Sequence, residues 1–234
     1  IPNLTNPNAV AGFLLNGTPY PFFAKPILGS YGKGTFAIQS CDRDKETLTT
    51  RAGEQVPVNE FATRLSRIDK GGYIFQRCLQ PHPTLKEICG QSLSTARVVI
   101  RLSDAGPRLL RAVWRIPRGS NVHDNFAHGR AGNLLGRLDL QTGKVLEVVG
   151  GIGFDRATIA NHPDTGKPIA GTQLPDWQAA VDLCLHAAYA LPGIRLQPWD
   201  VGFTSNGPMI IEINPRGDFD IIQHADRIGF RRGI

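Results

Sequence analysis

The chain has 234 residues, with 26 Lys and Arg against 20 Asp and Glu, a formal charge of +6 and a pI near 9.4. At ~100–200 residues per domain this predicts one large domain or two small lobes; a hydrophobic fraction of 41% suffices for a core, and 26 Gly with 17 Pro exclude a low-complexity chain. No apolar run approaches the ~18–20 residues of a membrane span and no secretory leader opens the chain, so a cytoplasmic protein with no membrane contact is expected, and the start at Ile1 predicts a piece trimmed from something longer.

In chain order, Asn6-Pro7 reads as an N-cap and a first-turn proline, and Ala9, Val10, Phe13 and Leu14 recur at helical spacing, predicting a helix over 7–15. An apolar strand over 22–25 stops at Pro26. The glycine-rich stretch GSYGKG joins it to a second strand over 35–39, as in a hairpin with a flexible tip. Residues 41–55 are polar and charged and are expected to form a mobile loop. A helix over 59–69 carries Phe61, Leu65 and Ile68 on one face and ends at Gly71-Gly72. Strands are predicted over 73–79, 95–102, 110–115, 134–140 and 145–149, with a proline break at 81–83, a polar loop over 121–136 and a turn at Thr142-Gly143. The best helical pattern starts at Pro175-Asp176, continues through Trp177, Ala180, Val181, Cys184, Ala187, Ala188 and Leu191, and ends at Pro192-Gly193. Strands over 199–204 and 209–214 follow, joined through Ser205-Asn206-Gly207. Interleaved strands and helices with several hairpins predict an α+β fold.

Lys and Arg are scattered, with their densest cluster at Arg227, Arg231 and Arg232. A nucleic-acid binder more often concentrates its charge on one element and interleaves aromatics, while a modest positive balance also suits anionic small-molecule ligands; the charge does not choose between the two. The four cysteines, Cys41, Cys78, Cys89 and Cys184, form no CxxC pair; free thiols in a reducing compartment are expected.

Three places carry chemistry. Lys25 ends an apolar strand ahead of Gly29, Ser30, Tyr31, Gly32, Lys33 and Gly34. Glycines let backbone N–H groups turn toward an anion, although the stretch fits neither Walker A nor the Rossmann order. In the last hairpin, strand alternation places Met209, Ile211 and Ile213 on one face and Ile210, Glu212 and Asn214 on the other. A three- or five-residue loop centred on Asn206 would set Asp200 directly opposite Glu212, whereas a two-residue Asn206-Gly207 turn would shift the pairing by one. Two carboxylates and an amide oxygen on one face are hard ligands suited to Mg²⁺. The third place combines Thr95 and Arg97 on one strand, Arg115 on the next and the segment HDNFAHGR from His123 to Arg130; arginine suits bidentate binding of phosphate or carboxylate.

Taken in order, FFAKPILGSYGKG, YIFQRCLQPHP, SLSTARVVIRL, HDNFAHG, HPDTGKPIAGTQLPDW and WDVGFTSNGPMIIEIN resemble the ATP-grasp superfamily, and most of all the sugar-transfer-associated ATP-grasp family, with a more distant similarity to the glutamate-ligase and glutathione-synthetase branch. The resemblance implies two α+β lobes with ATP bound between them: a smaller lobe over 1–80 and a larger one, with the metal site, over 81–234. It implies that Lys25 contacts the α/β-phosphates, that the loop from Gly29 to Gly34 closes over the phosphates, and that Gln76, Arg77, Cys78 and Leu79 form a hinge against adenine. Asp200, Glu212 and Asn214 would hold one or two Mg²⁺ ions, with Mn²⁺ as a substitute. Arg97 would steady the γ-phosphate or an acyl phosphate, and Asn125 matches the polar loop reaching the same site. The implied chemistry is ligation of a carboxylate to an amine or another nucleophile, on sugar-linked or amino-acid substrates. A phosphotransferase acting on a hydroxyl, and a nucleotide- or nucleic-acid-binding module without turnover, are the alternatives. The chain departs from its relatives in having only 24 residues before Lys25, in His128-Gly129-Arg130 where paired glycines are usual, and in Arg77 at the hinge.

Overall fold

The structure, a computed structural model, describes residues 6–28, 32–68, 71–119, 121, 123–215, 217 and 219–229. The chain divides into two compact units, Ile1–Leu79 and Gln80–Ile234.

In the first unit, helix α1 (Pro7–Asn16) begins where the Asn6 side chain accepts a hydrogen bond from the Ala9 N–H, satisfying one of the donors a helix start leaves open. Strands β1 (Phe22–Pro26), β2 (Phe36–Asp42), β3 (Thr47–Thr50), β4 (Gln55–Pro57) and β5 (Tyr73–Arg77) form an antiparallel sheet in the order β4-β3-β2-β1-β5, with helix α2 (Val58–Ile68) between β4 and β5 in sequence. Phe22, Ala24, Ile38, Leu48 and Val56 from the sheet and Leu14, Phe61, Ala62 and Leu65 from the helices share one core. Residues 41–55, expected to be a mobile loop, instead complete β2, build β3 and begin β4. Leu48 is the one buried residue of that stretch and Val56, in β4, follows just beyond it, so the alternation that would announce β3 and β4 rests on one apolar anchor per strand.

The second unit is a seven-stranded antiparallel sheet in the order β10-β9-β8-β7-β6-β11-β12. Its strands are β6 (Thr95–Ser103), β7 (Gly106–Ile116), β8 (Leu134–Leu138), β9 (Val145–Gly150), β10 (Ala157–Thr158), β11 (Leu196–Thr204) and β12 (Gly207–Ile213). One face, carrying Ala96, Val98, Ile100, Trp114 and Val201, packs on helices α3 (Pro83–Cys89) and α4 (Trp177–Ala188). The other face, carrying Val99, Val113, Leu135 and Val149, packs on Phe126 and on helix α5 (Asp220–Asp226) through Ile221, Ile222 and Ala225. The C-terminal end of α4 is tied by buried Gln197, whose Nε2 shares its two hydrogens among the carbonyl oxygens of Ala188, Leu191 and Ile194 at 2.9–3.0 Å. Two helices escape the sequence pattern. Pro83 does not break structure but opens α3, where its missing N–H costs nothing, and α5 is only seven residues long. Among the described residues no helix is long and apolar enough to cross a membrane.

The β11–β12 hairpin reaches the expected pairing by an unexpected route. Thr204 pairs with Gly207, so the loop is the two residues Ser205-Asn206, and the register runs to Val201 opposite Ile210. A bulge then skips Ile211 and sets Asp200 opposite Glu212 and Trp199 opposite Ile213. One extra residue on one strand reverses the facing of everything beyond it. Ile210 and Ile213 therefore both pack on the α4 side, in place of the strict alternation predicted for this strand.

Candidate active site

In the first unit, the ladder sets Phe23 opposite Gln76 and Lys25 opposite Ile74. Directly opposed residues share a face, and Phe22, Ala24 and Phe75 face the helix-covered core. Lys25, half-buried, and Gln76, exposed, therefore lie together on the face turned away from α1 and α2. Arg77 ends β5, and beyond it the Cys78 N–H donates to the Pro21 carbonyl; half-buried Leu79 closes the unit. Of the glycine-rich stretch, Gly29, Ser30 and Tyr31 lie outside the described residues. Gly32 and Gly34 have φ of 70° and 73°, left-handed conformations that glycine adopts without strain. Thr35 clasps the turn, its N–H and hydroxyl both donating to the Gly32 carbonyl. Lys33, between the glycines, is exposed.

The second unit gathers its predicted residues on the α5 side of the sheet, where three adjacent strands contribute one side chain each: Arg97 from β6, Arg115 from β7 and Asp200 from β11. Arg97, Arg115 and Asp200 are 2%, 5% and 1% exposed. Arg97 donates from Nε to Asp200 Oδ1 at 2.9 Å and from Nη2 to Oδ2 at 3.0 Å. Arg115 Nη2 lies 2.9 Å from the same Oδ2, and Asn214 Nδ2 donates to it at 2.9 Å. Burial alone would raise the Asp200 carboxyl, but the Arg115 charge, the Arg97 fork and the Asn214 bond together hold it below the usual carboxylate range. Arg115 also donates from Nη1 to Asn125 Oδ1 at 3.2 Å. Glu212, opposite Asp200 in the ladder, is exposed on the edge strand.

Three further residues organise this site: Thr95, named with Arg97 in the sequence, Asp124, present there only as part of the His123 to Arg130 segment, and Asn133, which no motif marked. Thr95 Oγ1 accepts from Arg115 Nε at 3.0 Å and from Nη2 at 2.6 Å, and donates to Asp124 Oδ2 at 2.6 Å. Asp124 is buried; burial pushes its carboxyl up, against the lowering effects of Arg115 and Thr95. Asn133, fully buried, donates to the carbonyls of His123 and Asn125 and accepts from the Arg118 N–H, pinning the polar loop. Thr95 and Asp124 stood in motifs noticed in the sequence, but no periodicity marks a polar residue that is buried by a loop. At the rim of the loop, His128, with φ of 53°, places Nδ1 3.1 Å from Asp220 Oδ2.

The oxygen chemistry of Asp200, Glu212 and Asn214 fits a hard divalent cation. Asn214 spends its Nδ2 on Asp200, which leaves its carbonyl oxygen for a ligand. Asp200 itself already meets four nitrogens within 3.0 Å, as many as a carboxylate has lone-pair sites. Among the described residues no three His, Cys, Asp or Glu side chains gather as a metal site; the candidate set is two carboxylates and an amide.

Comparison with known proteins adds the family. No curated protein matches the chain. Among solved structures, the ADP complex of PurK, N5-carboxyaminoimidazole ribonucleotide synthetase, aligns with a TM-score of 0.47 at 13% identity over 91% of this chain and 38% of its own. The L-amino acid ligase from Bacillus licheniformis aligns with a TM-score of 0.43 at 11% identity over 97% of this chain and 45% of its own. The chain thus spans less than half the length of either. The family described as sugar-transfer associated ATP-grasp matches residues 10–233, nearly the whole chain and every candidate site residue, and the chain belongs to that ATP-grasp family, with its α+β fold.

Proposed function

We propose that this protein is an Mg-ATP-dependent ligase joining a carboxylate to an amine or another nucleophile, on small-molecule substrates of the sugar-linked class that the family's description suggests. Lys25 and the stretch from Gly29 to Gly34 would contact the nucleotide phosphates, and Gln76, Arg77, Cys78 and Leu79 the adenine. Asp200, Glu212 and Asn214 would hold Mg²⁺, which when bound supplies charge neutralisation to the phosphates. Arg97 would steady the transferred phosphoryl group, and Asn125 would hold Arg115 in place beside it. In this reading a carboxylate oxygen attacks the γ-phosphorus and ADP departs. The nucleophile then attacks the acyl carbon, phosphate departs, and the amine proton passes to solvent. Such chemistry asks the protein for positioning and charge more than for covalent work.

The observation that carries the reading is the pair of buried guanidinium groups converging on Asp200, directly across the ladder from exposed Glu212. Two fixed cations and two carboxylates at one place suit a ligand that is itself a cation–polyanion complex. The test is ADP release from ATP in the presence of candidate carboxylates and amines, with the condensed product identified by mass spectrometry. Glu212→Ala is expected to abolish ADP release while leaving stability within ~0.5 kcal/mol, as for an exposed position. Normal turnover in that variant would remove the cation assignment. A phosphorylated product that resists hydroxylamine would replace ligation with phosphoryl transfer to a hydroxyl.

A further inference from the structure

We infer that Asp124 is a positioning residue that governs how readily Asp200 accepts a cation, by competing with Asp200 for Arg115. The inference rests on the cation assignment proposed above.

Arg115 stands between two carboxylates. Its Nη2 lies 2.9 Å from Asp200 Oδ2 and 3.4 Å from Asp124 Oδ1. Asp124 is fixed independently of Asp200: its Oδ2 accepts from the Thr95 N–H at 2.7 Å and from the Thr95 hydroxyl at 2.6 Å. That hydroxyl in turn accepts from Arg115 Nε and Nη2. Both Asp124 oxygens thus face donors, an arrangement that suits the ionised carboxylate. Asp124, Arg115, Arg97 and Asp200 are all 5% exposed or less, so solvent screens these charges weakly. The four charges sum to zero. Glu212 and Asn214 are the remaining candidate ligands on the edge of the same face, and Asn125 meets Arg115 from the polar loop.

A divalent ion arriving at Asp200 meets two guanidinium charges already there. Asp200 has to give up one of its four donors, and Arg115 has a second carboxylate to turn to, since Asp124 and Thr95 already hold its other contacts. Asp124 therefore acts as the counter-ion onto which Arg115 can shift its weight. Neutralising Asp124 leaves the whole Arg115 charge against Asp200 and should weaken cation binding. Neutralising Arg115 should strengthen it. The two effects have opposite sign although the residues belong to one contact chain. A merely structural role would weaken binding in both variants, since either loss loosens the pocket.

The experiment titrates Mn²⁺ into the full chain without nucleotide, following the free-ion EPR signal, for wild type, Asp124→Asn, Arg115→Met and Glu212→Ala. Relative to wild type, Asp124→Asn is expected to bind Mn²⁺ about tenfold more weakly and Arg115→Met about tenfold more tightly, and adding Glu212→Ala to Arg115→Met should remove the gain. Shifts in the same direction, or none, while Glu212→Ala abolishes binding would overturn the inference alone. Binding indifferent to Glu212→Ala would overturn the cation assignment beneath it. Where a charge-removing variant does not fold, Asp124→Glu and Arg115→Lys carry the test: with charges kept, affinities within about threefold of wild type are expected, and a tenfold loss in both would make the cluster a packing device and overturn the inference.

Discussion

Arg97 grips Asp200 with a two-pronged fork, Nε to Oδ1 and Nη2 to Oδ2 at 2.9 and 3.0 Å, and both side chains are sealed from solvent. The pair joins neighbouring strands at opposed ladder positions, Arg97 on β6 and Asp200 on β11. A buried pair is weak evidence for stability as such, but removing one partner leaves the other charged and uncompensated.

Arg97→Met is therefore expected to lower the unfolding free energy by about 3–5 kcal/mol. Arg97→Lys keeps the charge but cannot reproduce two parallel donors, and should fall between the two. Urea denaturation followed by circular dichroism checks both. A loss below ~1 kcal/mol in Arg97→Met would mean that the fork contributes little in solution.

The lowered Asp200 carboxyl has a pH signature. A carboxyl whose folded pKa lies below its unfolded value, 3.8 in the ordinary case, contributes stability above that unfolded value and loses it as pH falls through the lower folded one. The stability difference between wild type and Asp200→Asn should be constant from about pH 6 down to pH 5 and then shrink below about pH 4. Asp124 acts in the opposite sense, since burial raises its carboxyl, so the comparison has to be made against the Asp200 variant and not read from the whole-protein acid limb. Unfolding curves at stepped pH provide the measurement.

Gly143 tests the packing of α4. Its φ is +74°, and a Cβ there would lie 2.6 Å from the Trp177 Cβ, against the ring that anchors the helix on the sheet. Gly143→Ala should cost about 2–4 kcal/mol, combining a left-handed backbone that alanine resists with overpacking of a buried tryptophan. Gly53 has φ of +85° with open space around the missing Cβ, so Gly53→Ala should cost only the backbone part, about 1 kcal/mol. Thermal midpoints of the two variants measure the difference.

The thiols divide by burial. Cys89 and Cys184 are buried, and desolvation pushes both up to about 12; the thiolate is the reactive form. Neither should react with a disulfide reagent at pH 8 until the protein unfolds. Half-buried Cys41 sits at the surface end of β2 and should be modified in the native state. A timed thiol titration with and without denaturant reads this directly, and fast native labelling of Cys184 would contradict the packing of α4.

Much of the candidate site was legible as residue type and order. Lys25 at a strand end, the glycine-rich stretch, Arg97, Arg115, and Asp200 with Glu212 and Asn214 are all visible in one dimension, because strand alternation and turn residues are local physics. So were the long helix from Trp177 and the sheet-rich α+β class, where apolar periodicity is sustained. Short elements with few apolar anchors were not: β3, β4, α3 and α5 are held by contacts made elsewhere in the fold.

The sequence by itself determined the α+β class and the order of the candidate residues, and it allowed Asp200 and Glu212 to face each other. Tertiary structure alone decided how they do so. A two-residue loop and a bulge that skips Ile211 produce the pairing, because register depends on hydrogen bonding between strands and not on the spacing of letters. Tertiary structure also decided that the Asp200 carboxylate is held by two arginines and that Asp124, arriving on a loop nine residues beyond Arg115, shares one of them. Charge balance in a buried place is a property of what packs together, and no local pattern records it.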